Sequence, residues 1–331
     1  METKPHPPMN SGRARMVGRV LQLRDFGVLI AALGIGLVFA LLAPAFLSPY
    51  NLFNLLRQTS ELGIVAMAMT VLIVSGEFDL SVGAIYAVTG VVTGLLFKVA
   101  GMNLWAAGAL GLSAALLLGA INGMLVTITR VNSFIATLAT MMIFRGLAMV
   151  LSRGQPVSSF PDQWFFEVLG RARLFGTVPV PILWLLGWGL VMYFLLHRTA
   201  YGVRVFATGD NREAADLAGI RTARVKRLNF LLTALAAGVA GLVSLGYLKT
   251  VTPTQGTGLE LEAIAASVIG GTAMRGGVGS ILGTFLGALI MAEVRTGLVL
   301  MGTDAYLQDA CVGLIIAAAV ILNVWLTARR A

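Results

Sequence analysis

The chain has 331 residues, of which 57% are hydrophobic and only 12% are charged, and its mean hydropathy is +0.87. This composition excludes an ordinary soluble globular domain, in which about a quarter of the residues would be charged. The net charge of +9 does not indicate nucleic-acid binding, because the basic residues lie between apolar segments and not on one soluble face. They fit the bias of Lys and Arg toward the cytoplasmic side of a membrane.

The first segment, residues 1–26, is predicted to be a cytosolic tail. It carries four arginines, Arg13, Arg15, Arg19 and Arg24, and it lacks the small-residue cleavage site of a signal peptide. The apolar run that follows is too long for a signal-peptide core. We therefore expect an uncleaved first span.

Apolar runs bounded by charge or proline predict an all-α polytopic membrane protein with about ten transmembrane helices. The predicted spans are 27–46, 58–76, 79–99, 104–127, 132–151, 180–197, 227–247, 261–275, 278–300 and 306–327. With the N-terminus inside, ten crossings return the chain to the cytosol, where Arg329 and Arg330 lie. The transmembrane domain is thus 27–327, followed by a cytosolic tail, 328–331.

Two predicted spans are interrupted. One ends in the segment Gly76–Gly83, and the other, 261–275, is short, contains Gly270 and Gly271, and runs into a second glycine-rich stretch. Broken helices persist in a membrane only where protein or a water-filled cavity satisfies the freed backbone. Because the breaks occupy similar places in the two halves, they also suggest a parallel internal repeat.

The longest predicted outer loop, 152–179, contains Trp164, Phe165 and Phe166, and Trp184 lies just beyond it. Aromatic residues next to a span are typical of an interfacial belt at the membrane surface. We expect this loop to meet lipid headgroups or an extracytoplasmic partner.

Motifs for catalysis are absent from the sequence. None of the four lysines follows a glycine, so the Gly-Lys-Ser/Thr core of a P-loop is missing. Cys311 is the single cysteine, and His6 and His197 are isolated, so neither a metal site nor a Cys/His nucleophile pair is predicted. The chain is expected to be no enzyme and to carry no cofactor.

Five charged residues are candidates for positions within the membrane: Glu77, Asp79, Arg145, Glu293 and Arg295, of which the last two are close enough to a predicted outer end to snorkel. Ionisable groups at membrane depth are functional candidates by default. Structural roles are open as well, since Asp79 or Ser81 is placed to cap the third span and Arg145 to satisfy helix ends. A solute path that used Glu77 or Asp79 for ion coupling would make the chain a secondary transporter of a small polar solute.

The segment 198–227 is predicted to be cytosolic, because it holds seven Arg and Lys residues. Within it, Asp210 or Asn211 is placed to cap a short helix, Glu213 favours the first turn, and Gly219 is suited to end it in the left-handed conformation. The pattern predicts a short charged helix between two spans.

Five ordered motifs carry a family resemblance: Gly76–Gly83, Asn122-Gly123, Phe134–Leu138 followed by Arg145-Gly146, Tyr201–Ile220, and Gly270–Ser280. Together they resemble the ribose/xylose/arabinose/galactose-type permeases of bacterial ATP-binding-cassette importers, along the chain from about residue 50 to 323. The resemblance implies an inner-membrane importer of a small sugar. It also implies a second permease copy or a paralogous permease, ATPase subunits that hold the ATP and Mg, and a periplasmic sugar-binding protein.

The resemblance further implies that the short cytosolic helix is a coupling helix seated in the ATPase. Its residues are Asn211, Glu213, Ala214, Ala215, Leu217, Gly219 and Ile220. The residues predicted to line or gate the translocation path are Glu77, Asp79, Ser81, Arg145, Gly270, Gly271 and Thr272.

Overall fold

The structure is a computed structural model that describes the backbone of residues 11–328 and the side chains of residues 25–304, 307–318 and 321. The helices are α1 (Ser11–Leu42), α2 (Pro49–Val74), α3 (Val82–Lys98), α4 (Leu104–Thr129), α5 (Ser133–Ser152), α6 (Trp164–Phe166), α7 (Val180–His197), α8 (Ala200–Asp210), α9 (Arg212–Leu217), α10 (Thr222–Leu248), α11 (Leu259–Ile269), α12 (Ile281–Leu300) and α13 (Ala305–Ala328). A π-helical turn, Glu167–Arg171, continues α6, and two short strands, β1 (Arg173–Leu174) and β2 (Val178–Pro179), pair antiparallel.

The all-α multi-pass prediction is confirmed. Within the described residues, seven helices are long and apolar enough to cross a membrane: α1, α2, α4, α5, α7, α10 and α12. The helix α3 and residues 307–318 of α13 are shorter apolar helices. The helices α8 and α9 lie at one end of the bundle, called the α9 end below; the opposite end, which holds residues 153–179, is the far end.

The helices form an inner and an outer set. In the apolar part of α2, 83% of the residues are buried inside the protein, whereas in α1 only 6% are. The outer helices present large apolar side chains outward, including Leu117 on α4, Met142 on α5 and Leu190 on α7. In water such a surface would be costly, so its natural solvent is lipid.

Local capping explains where several helices begin. Ser48 accepts a hydrogen bond from Asn51 N and Pro49 occupies the first turn, which starts α2 nine residues before the predicted residue 58. Asn132 likewise caps α5. Because α2 starts early, Arg57, which precedes the predicted span, lies inside this helix. It is four residues before Glu61.

A re-entrant segment, residues 249–258, links α10 to α11 without helical structure. It turns back along α3: Val251 packs on Gly90, and the carbonyl of Gly256 lies against Gly83. A Cβ on Gly83 would sit 2.1 Å from that carbonyl oxygen, so only glycine permits the approach. Seven residues of α3 separate the two contacts, which corresponds to a descent of about 10 Å.

This segment corrects the predicted eighth span, 261–275. The helix α11 has 11 residues, about 16 Å at 1.5 Å per residue, which is too short to cross alone. The re-entrant segment supplies the rest of the crossing. The predicted glycine-rich break, 270–280, is confirmed as non-helical and lies at the α9 end.

Of the four residues of the predicted aromatic belt, Trp164 and Trp184 are exposed, and the prediction is wrong for the other two. Trp164 is 71% exposed, but Phe165 and Phe166 are buried. They stack edge to face, and Phe165 fills the space beside Gly108 of α4. Part of this loop therefore packs into the far end of the bundle through Phe165 and Phe166.

Candidate functional site

The short helix α9 has the capping geometry that its sequence predicts. Asn211 accepts a hydrogen bond from Ala214 N at 3.0 Å, and Gly219 ends the turn with φ +82°. Leu217 is 91% exposed, whereas Ala215 is buried against the bundle. The helix therefore offers one large apolar side chain to the solution and is held to the protein through another face.

The other predicted coupling residues divide between these two faces. Glu213 and Ala214 are exposed, and Ile220 packs partly against the core. Asp216 accepts a 2.8 Å bond from the Thr222 hydroxyl, which ties α9 to the start of α10. A push on α9 would thus be passed to α10.

A backbone contact joins the end of α8, directly before α9, to both glycine-rich breaks. Gly209, at the end of α8, lies so close to Val74 that an added Cβ would be 1.8 Å from the Val74 carbonyl oxygen and 2.7 Å from Gly277 N. Gly277 N also donates to Val74 O at 2.9 Å. Segments from three distant parts of the chain meet here in direct main-chain contact, a glycine junction formed by Gly76, Gly209, Gly276 and Gly277.

Beside the glycine junction, Glu77 forms a buried ion pair with Lys226. The Lys226 Nζ to Glu77 Oε1 distance is 2.5 Å, and the two side chains are only 10% and 12% exposed. Glu77 also lines a cavity of about 470 Å³ between α5, α11 and α13. The pair links the first break to α10, the helix that follows α9.

Sequence reasoning missed Lys226, because it was counted among the basic residues that only orient the chain. Its signal was its place at the end of the cytosolic segment, directly before an apolar run, where a charge is near enough to the membrane to be buried.

Asp79 and Ser81 belong to a closed polar cluster. Asp79 is fully buried and accepts bonds from Ser81 N at 2.8 Å and Ser81 Oγ at 2.7 Å. Asn122 of α4 donates to Ser81 Oγ at 2.7 Å and lies 3.3 Å from both Asp79 oxygens. Ser81 makes no side-chain cap to α3, so the predicted cap is replaced by a bridge from the break to α4.

Backbone amides of the same break are satisfied by α5. Phe78 N donates to Ser133 Oγ at 3.1 Å, and Leu80 N donates to Thr137 Oγ1 at 3.0 Å. Side chains of α5 thus satisfy two backbone amides that the first break leaves without a helical partner.

Arg145 acts on the re-entrant segment. Its Nη1 donates to the carbonyls of Pro253 at 2.9 Å and Gln255 at 2.8 Å. These carbonyls have no helical partner, and unpaired carbonyls at membrane depth are costly. The structural role left open for Arg145 was to satisfy helix ends or carboxylates within the bundle, whereas its partners here are carbonyls of the re-entrant segment.

Gly270, Gly271 and Thr272 lie at the α9 end, between α11 and α12. Gly270 packs on the backbone of Gly283, and Gly271 has φ +90°. Thr272 is buried. Their surroundings are tightly packed protein, so the predicted role in the path stays a prediction.

Among the described residues, no group of three or more His, Cys, Asp and Glu side chains is placed to hold a metal ion. The site is instead a set of connected contacts. It comprises α9, the glycine junction, the Glu77–Lys226 pair, the two glycine-rich breaks and the re-entrant segment. Such an arrangement is able to carry a movement from an exposed helix to the interior of a membrane bundle.

Comparison with known proteins assigns residues 51–320 to a family described as "Branched-chain amino acid transport system / permease component". The ribose import permease protein of Escherichia coli K12 is 40% identical over 299 residues, which is 89% of this chain and 92% of that protein. The ribose import permease protein of Bacillus subtilis is 38% identical over 288 residues, 87% of this chain and 88% of that protein. The L-arabinose ABC transporter permease protein of Azospirillum brasilense is 36% identical over 324 residues, 97% and 94%.

Proposed function

This chain belongs to the permease-component family of branched-chain amino acid transport systems, together with ribose and arabinose import permeases, and on that premise we propose that it is the membrane subunit of an ATP-binding-cassette importer for a small sugar. The expected cargo is a monosaccharide such as ribose or a related pentose or hexose. The observation that carries the proposal is 40% identity to a ribose import permease along 89% of the chain.

In the proposed assembly, a periplasmic-type binding protein delivers the sugar to the far end. ATP and Mg are bound and used by separate ATPase subunits at the α9 end. Two permease copies, or this chain and a paralogous one, enclose the path. The N- and C-termini lie on the cytosolic side of the inner membrane, as the basic segment 198–227 supports.

The α9 helix is the proposed contact with the ATPase. Leu217, 91% exposed, would fill an apolar groove in the partner, while Asn211 and Glu213 form polar contacts around it. When the ATPase subunits close, α9 moves, and the glycine junction passes that movement to both breaks. This sequence of contacts gives alternating access a physical route through named residues.

An ion-coupled secondary transporter has less support. Its coupling carboxylate would need to bind and release an ion along the path. Glu77 is paired with Lys226, and Asp79 is occupied by Ser81 and Asn122. Both carboxylates thus have protein partners that a structural role explains.

The first test is to identify the proteins that copurify with the tagged chain from its native membrane by mass spectrometry. We expect an ATP-binding-cassette subunit and a periplasmic-type binding protein, and the sugar bound to the latter would name the cargo. Recovery of the chain without an ATPase, together with uptake that persists when ATP is depleted, would contradict the proposal.

The coupling role of α9 is tested by Gly219→Pro combined with Glu213→Arg. Proline cannot adopt φ +82°, so the end of α9 must shift, and the charge reversal disturbs its polar face. Uptake is expected to fall while membrane insertion stays normal. The matched control is Gly154→Pro, which strains another exposed left-handed glycine in the far-end loop; undiminished uptake in the α9 variant would contradict the coupling role.

A further inference from the structure

One far-end cavity is lined by charged and polar side chains within the bundle. Its volume is about 390 Å³, within the range of small-molecule sites. Its polar wall includes Arg57, Glu61, Tyr86, Gln255, Glu262 and Arg295. We propose that this cavity binds the transported solute inside the permease, and that the solute class is a neutral polyhydroxylated molecule. The inference rests on the proposed sugar import and adds a binding site to it.

The cavity exists because the re-entrant segment interrupts the helical packing. Gln255, Gly256 and Thr257 of this segment lie on its wall, where a continuous helix would bury its own backbone. Irregular backbone at membrane depth is typical of transporter substrate sites, since it is tolerated where it lines a cavity. Arg145, behind the segment, holds two of its carbonyls and fixes its course.

Gln255 is held in a defined orientation. Its Oε1 accepts a bond from Thr252 N at 3.2 Å, and its Nε2 donates to Ser244 Oγ on α10 at 2.9 Å. A side chain fixed in this way loses little conformational entropy when a ligand binds.

Next to Gln255 and Ser244, the side chains of Arg57, Glu61 and Tyr86 form one connected group. The Tyr86 hydroxyl donates to Glu61 Oε2 at 2.7 Å, and Arg57 Nη1 lies 3.8 Å from Glu61 Oε1. The Arg57 guanidinium stacks 4.1 Å from the centre of the Tyr247 ring. These contacts preorganise donors and acceptors without filling the cavity.

Another part of the wall carries Glu262 of α11 and Arg295 of α12, which are paired at 2.6 Å. With Arg57 and Glu61 they give two positive and two negative groups, so the formal charges of the wall cancel. An anionic or cationic solute would leave its own charge uncompensated in a partly desolvated site. Hydroxyl groups both donate and accept, and they match alternating guanidinium, carboxylate and amide groups.

The cavity has a route to the far-end surface. A second cavity of about 460 Å³ shares Arg57 and Tyr247 with it and extends to Arg171 and Arg173 in the outer loop. The stacked Arg57–Tyr247 pair therefore stands between a surface vestibule and the inner cavity. A solute delivered to the far end would meet this pair first.

A branched-chain amino acid, the cargo in the family description, fits this wall less well. Its apolar side chain gains free energy only where apolar surface is buried, and here it would displace water from charged groups. A predominantly apolar cavity lies elsewhere among the described residues, between α2, α7 and α12, and is lined by residues such as Met67, Leu185 and Phe285. L-leucine is thus the informative competitor in a test.

The site is tested by direct binding to the full-length chain in lipid nanodiscs, measured by saturation-transfer NMR with D-ribose and with L-leucine as probes. We expect a D-ribose signal for the wild type, and its loss in Gln255→Leu and in Glu61→Gln. The matched controls Gln155→Leu and Glu167→Gln lie outside the cavity lining and should keep the signal. No D-ribose signal in the wild type, an equal signal in the cavity variants, or a leucine signal that these variants abolish would overturn the proposal.

Uptake by the complete importer separates this site from the proposed function. We expect Gln255→Leu and Glu61→Gln to lower sugar uptake about tenfold, as loss of hydrogen bonds to a ligand predicts. ATP hydrolysis stimulated by the loaded binding protein should stay within about twofold, because the ATPase contacts are unchanged. Parallel loss of this stimulation would assign the cavity to docking of the binding protein and overturn the solute site. Failure of the wild-type importer to take up any sugar would overturn the proposed function instead, whatever the NMR result.

Discussion

Two of the non-helical segments of the bundle, residues 75–81 and 249–258, place a polar side chain in different surroundings, Asp79 in the first and Gln255 in the second. In the first, Asp79 is fully buried and its bonds go to Ser81 and Asn122. In the second, Gln255 lies on the wall of a cavity of about 390 Å³. Both satisfy the requirement that backbone at membrane depth has partners. Asp79 therefore has a structural role in a closed polar cluster, whereas Gln255 forms part of the wall of a cavity.

The difference teaches that a broken membrane helix is not by itself evidence of a solute site. What matters is whether the polar groups around it are enclosed by protein or also border open space. Asp79 is enclosed by its partners, whereas Gln255, Glu61 and Glu262 have protein partners and also border a cavity.

The largest expected effect is at the Glu77–Lys226 ion pair. Lys226→Met leaves Glu77 as an uncompensated buried charge. Breaking such a pair costs about 3–5 kcal/mol, measured as the free energy of unfolding in mixed micelles. The double variant with Glu77→Met should recover most of this loss, because it removes both charges. A single variant within about 1 kcal/mol of the wild type would mean that the pair is effectively exposed.

At the re-entrant segment, Arg145→Met removes the donor to the carbonyls of Pro253 and Gln255. The expected loss is about 2–3 kcal/mol, since bonds to a charged donor are among the stronger ones. Hydrogen exchange should become faster in residues 250–258 and stay unchanged around residues 75–81. Arg153→Met, at the exposed end of α5, serves as control, and unchanged exchange in the re-entrant segment would show that Arg145 does not hold it.

The glycine junction is tested by Gly209→Ala. The added methyl would overlap the Val74 carbonyl, and overpacking of this kind costs about 1–3 kcal/mol. ATP-driven uptake should fall with it, because the contact between α8 and both breaks is displaced. Gly187→Ala on α7, where nothing lies within 4 Å of the new Cβ, should leave stability and uptake unchanged; the same result at Gly209 would refute the junction.

The smallest effect is expected for Asp79→Asn. The amide oxygen still accepts from Ser81, so the loss should be about 1 kcal/mol. Sugar uptake should remain above about half of the wild-type level, because a closed polar cluster needs the hydrogen bonds and not a titrating group. Complete loss of uptake in a stably folded variant would favour the ion-coupled alternative.

Local sequence was a sufficient guide to α9. Asn211 caps it and Gly219 ends it, and both effects act within a few residues. The predicted start of α2, residue 58, was wrong because it was placed from apolar content. Ser48 and Pro49 begin the helix earlier. Arg57 and Glu61 were thereby left out of the candidate site, although an Arg–Glu pair four residues apart inside a membrane helix is the signal that would have found them.

The sequence by itself determined the membrane class, the approximate number of crossings, the family and the exposed helix between two spans. These properties depend on composition, apolar run length and short motifs. Only the tertiary structure decided that Glu77 meets Lys226, 149 positions away, that Arg145 holds the re-entrant segment, and that Gln255 faces the same cavity as Glu61. The physical reason is that helix rotation and depth are fixed by packing against neighbouring helices, and an apolar stretch does not encode them locally.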